Sequence, residues 1–214
     1  RLPFDFMNIA APNGVLAPHL ARRNVQMWRT LNADVTLTYF NMTDSVVGGY
    51  EPAKVALRRA IGHAINVEQE IRLYWRGQAV PAQSGLMPHT MGYDSGFVSE
   101  TARYDLPRAK ALLDTYGYVD RDGDGWRETP EGAPLTLEIA STSTQRDRSQ
   151  NELWKKYMSA IGLRTSFRIA QWPELVKQSM AGQLMMWSYA WQVGQPDSGQ
   201  IFGMAYGPNR ESIN

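Results

Sequence analysis

No cysteine occurs among the 214 residues, which removes a disulfide scaffold, a cysteine nucleophile and thiolate metal sites together. Compartment stays open, since a protein of the cell envelope can fold without disulfides. Histidine is nearly as scarce. His19, His63 and His89 show no i, i+4 pair and no His-Glu-x-x-His run, so a histidine metal centre has no support. Charge of one sign is missing too: 22 Lys and Arg against 21 Asp and Glu give a net charge of +1, with the arginines scattered. A nucleic-acid partner therefore has no electrostatic footprint. No apolar run approaches the roughly 20 residues needed to span a bilayer, and the longest, Leu184 to Trp187, is interrupted by Ser188. A Gly-x-Ser-x-Gly elbow, a phosphate-cradling Gly-Lys-Thr loop and a dinucleotide glycine fingerprint are all absent, which argues against an enzyme. Arg1 to Phe6 carries no basic cluster followed by an apolar core, so no signal peptide is expected there, and the chain reads as part of a longer protein. What remains, 43% hydrophobic and 20% charged, suits a globular protein with a real core.

The segment from Pro134 to Trp191 organises the chain, because it reads as three strands alternating with two helices. Crossovers of that length imply parallel pairing. In the first strand Leu135, Leu137 and Ile139 share a face. A helix follows from about Ser149, with Leu153, Trp154, Tyr157, Met158 and Ile161 forming one stripe, and Gly162-Leu163 predicts a Schellman-type end. Thr165, Phe167 and Ile169 then alternate with Arg164, Ser166 and Arg168. Pro173 fits the first turn of a second helix that turns Leu175, Val176 and Met180 inward and stops at Gly182. The third strand, Leu184 to Trp191, is apolar at nearly every position, the pattern of a central strand covered on both faces.

Upstream, Pro18 to Asn24 predicts a short helix and Asp34 to Phe40 an alternating strand. Pro52 opens a helix with an apolar stripe at Leu57, Ile61, Ala64 and Ile65, while His63 falls on or beside the polar side. Asn66 and Asp105 are N-cap residues for helices closed by Gly77 and Gly117. Residues 78 to 104, rich in Pro, Gly, Ser and Thr, form a connection long enough to suggest a functional loop.

Two patterns carry chemistry. Asp120, Asp122 and Asp124, with Gly123 and Gly125 and then Glu131, approach the spacing of a calcium loop, whose hard oxygen ligands sit on a tight turn. Arg127 stands where such loops want an apolar residue, and Pro130 and Pro134 oppose an exiting helix, so a solvated turn is the competing reading. At the other pattern Met185, Trp187, Tyr189 and Trp191 share a face of the third strand, which runs into a loop bearing Gln192, Gln195 and Asp197. Ligands of open parallel α/β sheets bind beyond the carboxyl ends of strands. Trp191, Gln192, Asp197 and Tyr189 are the candidate ligand-binding residues; core filling is the alternative for these aromatics, above all for Trp187.

The succession Val55-Ala56-Leu57-Arg58-Arg59-Ala60-Ile61, Ala64-Ile65-Asn66, Arg76-Gly77-Gln78-Ala79, Pro81, Pro88 and Gly92-Tyr93-Asp94 resembles the extracellular solute-binding proteins of family 5. It continues through Tyr104-Asp105, Ala109-Lys110-Ala111-Leu112-Leu113, Gly117-Tyr118, Ile161-Gly162-Leu163 and Ala190-Trp191 in the family's order. These are the oligopeptide, dipeptide and nickel receptors of ABC importers. The resemblance implies a periplasmic, type II two-lobed α/β fold, and a monomeric, non-enzymatic receptor that hands a small polar solute, such as a peptide, to a membrane permease. Residues 34–202 would be largely the second lobe, with 1–33 a connecting segment and 203–214 the start of a return. In peptide-binding members an Asp shortly after the Gly-Trp equivalent of Ala190-Trp191 pairs with the ligand's α-amino group; here that position is Gly194. A hydrolase on the same layered fold and a calcium-stabilised structural module are the alternatives.

Overall fold

The computed structural model describes residues 9–192. In chain order the elements are α1 (Pro18–Ala21), β1 (Asp34–Phe40), α2 (Pro52–Ala64), α3 (Val67–Leu73), α4 (Leu106–Thr115), β2 (Thr136–Ser141), α5 (Gln145–Ala160), β3 (Arg164–Ile169), α6 (Trp172–Met180) and β4 (Met186–Gln192). The four strands make one sheet in the order β1-β4-β2-β3. β2 is parallel to β3 along its whole length, from Thr136 opposite Arg164 to Ser141 opposite Ile169. β4 lies parallel to β2 through Ile139–Met186 and Ala140–Trp187. Its other edge takes β1 antiparallel, from Asp34 opposite Gln192 to Phe40 opposite Met186. The apolar third strand is thus central, as its composition predicts. The two crossovers also bring three parallel strands into one sheet.

One face of the sheet carries the main core. Leu137, Ile139 and Met186 meet Trp154, Tyr157, Met158 and Ile161 of α5, and behind them Leu57, Ala60, Ile61 and Ala64 of α2 with Ala109 and Leu113 of α4. The small residues of α2 recur every three or four positions, which lets α4 approach closely. Burying these side chains supplies the dominant stabilisation, about 1.5–3 kcal/mol for each large one. α6 covers the opposite face, where Leu175 packs with Ala140, Leu184 and Trp187.

Local signals set the ends of these helices. The Asn66 side chain accepts from the Gln69 N–H at 2.8 Å and that of Asp105 from the Arg108 N–H at 3.0 Å, so both caps form. Gly162 (φ 75°) ends α5, and the Leu163 N–H reaches back to the Met158 carbonyl at 3.0 Å, the Schellman bond.

The structure departs from the sequence reading in several places, among them Met180, read as inward-facing and 64% exposed. α1 stops at Ala21, short of Asn24. α5 begins at Gln145, a turn before Ser149: Thr144 caps it by accepting from the Asp147 N–H at 3.1 Å, while the polar first turn hides the start from an apolar-stripe reading. Met185 precedes β4 and packs with the α5-side core instead of sharing the Trp187 face. His63 is fully buried, its Nδ1 bonded to the Arg103 carbonyl at 2.9 Å, because residues 101–105 close over α2. Ile169 is 50% exposed, being the last residue of β3, an edge strand.

Candidate functional site

β2 leads into α5 on one face and β3 into α6 on the other, so the chain diverges at the carboxyl ends of these adjacent strands. Such a divergence opens a crevice where α/β sheets bind ligands. A cleft of about 100 Å³ lies there, lined by Ser141, Thr142, Asp147, Gln150, Asn151, Trp172, Trp187 and Ser188, among others. Asp147 is the single charged side chain among its described lining residues. Its carboxylate already accepts from the Thr142 hydroxyl and, at 2.8 Å, from the Thr144 hydroxyl, which ties the β2–α5 turn together. The Gln150 amide donates to Glu70 of α3 at 3.0 Å, and burial of Glu70 raises its carboxyl above the usual range. Ser188 shares a 2.9 Å hydrogen bond with Thr38 of β1.

Strand alternation puts Trp187, Tyr189 and Trp191 on the α6 side of the sheet, and Tyr39 of β1 joins them through the register Tyr39–Trp187. Trp172, the first residue of α6, stacks on Tyr189 at 5.6 Å between centroids with 12° between planes. It lies 5.0 Å from Trp187, and Tyr189 is 5.5 Å from Trp187, 6.0 Å from Trp191 and 6.3 Å from Tyr39. Pairs at these separations add about 0.5–1.5 kcal/mol each beyond area burial. Trp172 nevertheless stays 46% exposed at the rim. Burial pushes the Tyr39 hydroxyl up to about 12, with Tyr189 adding a smaller contribution. The Tyr39 hydroxyl and the Trp191 Nε1 are buried with no hydrogen-bond partner among the described residues.

Of the residues singled out from sequence, Tyr189 lies inside this aromatic face. Trp191 lies at its far end and packs with Val35 and Met87, the latter brought in by the long 78–104 connection. Gln192 is exposed at the end of β4, opposite Asp34. Asp197 falls outside the described residues. Sequence reading missed Trp172, although Trp172-Pro173 at a helix start places a bulky ring on the rim. It also missed Thr142, Thr144 and Asp147, for which the Thr144-x-x-Asp147 capping pattern was the available signal.

The acidic loop is a separate structure. Asp120, Asp122 and Asp124 do converge, their ligand atoms within 4.8 Å of one another, but the fourth member is Glu128 in place of Glu131. Glu128 bridges Pro134, and the chain reverses between them through the Thr129 N–H to Ala133 carbonyl bond of 2.9 Å. That reversal leaves Glu131 on the turn, where hydrogen bonds from its own backbone and from Thr129 lower its carboxyl. The other acids are engaged within the loop. Asp120 accepts from the Gly123 and Gly125 N–H groups at 2.8 and 2.9 Å, and Glu128 from the Arg121 N–H at 2.7 Å. Asp124 pairs with Arg164 of β3 at 2.7 Å, fastening the loop to the sheet edge.

A sheet diverging into an aromatic-walled crevice defines one lobe of a type II periplasmic binding protein. The Thermotoga maritima periplasmic oligopeptide-binding protein matches it with a TM-score of 0.74 at 21% identity, over 92% of this chain and 39% of that one. The lactococcal oligopeptide-binding protein in its closed, peptide-bound form gives 0.70 at 20%, over 86% and 36%. At these identities the likeness is one of fold. The chain belongs to the bacterial extracellular solute-binding proteins, family 5, whose middle-region model matches residues 5–212. Di/tripeptide-binding protein 2 of Pseudomonas aeruginosa (strain UCBPP-PA14) is 31% identical over 146 residues, 66% of this chain. An oligopeptide-binding protein of Lactococcus lactis subsp. cremoris (strain SK11) is also 31% identical, over 51% of the chain. The matches span only 25% and 18% of those two proteins' lengths.

Proposed function

We propose that this chain is the second lobe of the substrate-binding component of an ABC importer, which captures a polar solute outside the cytoplasmic membrane and delivers it to a permease. The observation that supports the reading is the crevice at the strand divergence, lined by Trp172 and Trp187 with Tyr189 stacked on Trp172, on a chain of a solute-binding family. The other lobe comes from sequence outside the present chain and supplies the facing wall. Closure follows because a solute touching both walls adds contacts only in the shut form, which shifts the population toward it. The protein binds and releases without covalent chemistry, and the hydrolase alternative has no support in the cleft. Its one carboxylate is held by two threonine hydroxyls, and no histidine lines it among the described residues. Relatives of the fold include a Bacillus subtilis protein in complex with a nonapeptide and a Thermotoga protein bound to mannohexaose, so peptides and sugars are the classes to try first. Isothermal titration of the full-length protein with peptide, sugar and metal-chelate pools tests the proposal. Saturable binding near one to one with the solute recovered intact is expected; turnover of the solute, or no binding from any pool, refutes it.

A further inference from the structure

We infer that the aromatic face at the cleft is a saccharide platform, and that the solute is a neutral oligosaccharide with one pyranose ring lying on Trp172. The inference rests on the receptor reading above and narrows it to a ligand class. Stacked nearly parallel on Tyr189, Trp172 has one indole face covered and remains 46% exposed. A pyranose offers a flat patch of C–H groups to such a ring and a rim of hydroxyls around it. The neutral polar groups lining the cleft match that rim: the Asn151 amide is donor and acceptor, and the Thr142 and Ser188 hydroxyls, bonded to Asp147 and Thr38, keep lone pairs that can accept.

To a peptide with free termini the described lining offers one carboxylate and no cation. An α-amino group needs a carboxylate and an α-carboxylate needs a cation. Asp147, the one charged lining residue among those described, is engaged by Thr142 and Thr144, and on the same side of the sheet Arg168 is paired with Glu138 at 2.8 Å. Neutral hydroxyls can donate to and accept from this lining without bringing a second charge into it.

The test is titration of the full-length protein with mannohexaose, stachyose, cellobiose and trialanine, followed by tryptophan fluorescence and calorimetry, for the wild type, Trp172→Ala and Trp172→Phe. At least one saccharide is expected to bind saturably and perturb the fluorescence. Trp172→Ala should weaken it roughly tenfold, and Trp172→Phe, which keeps a ring, by much less. Trp172→Ala also loses the ring pairs with Tyr189 and Trp187, so its ligand-free melting temperature should fall by a few degrees with the unfolding transition still cooperative; Trp172→Phe, which keeps a ring, should melt nearer the wild type, and binding compared at a temperature where all three are folded separates lost stacking from lost folding. Saccharide binding untouched by Trp172→Ala overturns the platform. Binding of trialanine but no saccharide overturns the ligand class and leaves the receptor reading standing. Binding of none of the four overturns the ligand class too, while the receptor reading is then judged by the broader pools.

Discussion

Leu175→Ala isolates the layer that carries Trp172. Helix α6 has nine residues, and Leu175, with no exposed surface, is its one fully buried side chain. Leu175 closes a small cluster with Ala140, Leu184 and Trp187 that is distinct from the main core on the other face. Truncation removes its transfer free energy and leaves a cavity, a loss of about 2–5 kcal/mol. A helix this short has little stability of its own, so the loss should appear as local opening of α6 ahead of global unfolding. At about 1.4 kcal/mol per decade, even 2 kcal/mol speeds amide exchange roughly 30-fold. Hydrogen exchange read by mass spectrometry on the full-length protein should therefore show residues 173–181 exchanging at least that much faster. Amides of α5 around Trp154 and Met158, on the opposite face, should keep wild-type protection. Equal acceleration in α5 would show that the two faces unfold as one unit, and no change in α6 would show that Leu175 does not anchor it; either refutes the reasoning.

Three further outcomes follow from the same geometry. Thr144→Ala removes the acceptor of the Asp147 N–H and should cost about 1 kcal/mol in denaturant unfolding; no measurable loss would mean that the bond from the Thr142 hydroxyl to Asp147 holds the turn alone. Burial raises the Glu70 carboxyl above 4.5, so the folded protein keeps that proton to a higher pH than the unfolded chain does. Its contribution to stability is full below about 4.5 and declines as pH rises through the folded value; Glu70→Gln should flatten melting temperature against pH in that window, and an unchanged slope refutes the assignment. Because the carboxylates of the Asp120–Glu128 loop are engaged by backbone amides and Arg164, we expect the melting midpoint to be the same in calcium and in chelator. A clear rise with calcium would instead establish a metal-stabilised loop.

The alternation of Asp34–Phe40, the stripes of α2 and α5, the caps at Asn66 and Asp105 and the glycine stops are all local patterns. Each is imposed by a repeat of two or 3.6 residues or by one side chain reaching a nearby amide. They were therefore legible from the chain alone, as was the central place of the apolar strand in the sheet order, although of the residues of β4 only Met186 is buried and Ala190 and Gln192 are exposed. Of the aromatic face beside the cleft, the strand residues were legible, although none of Tyr189, Trp191 and Gln192 lines the cleft itself. Alternation brought Tyr189 and Trp191 to one face, but that Trp172 would stack on Tyr189 across 17 positions depends on α6 crossing behind the sheet. Glu131 shows the converse: the chain spacing favoured it, and a backbone reversal over Thr129–Ala133 gave its place to Glu128. Periodicity reports which side of an element faces inward; which elements then meet is fixed by long-range closure, whose contacts leave no mark on the spacing of neighbouring residues.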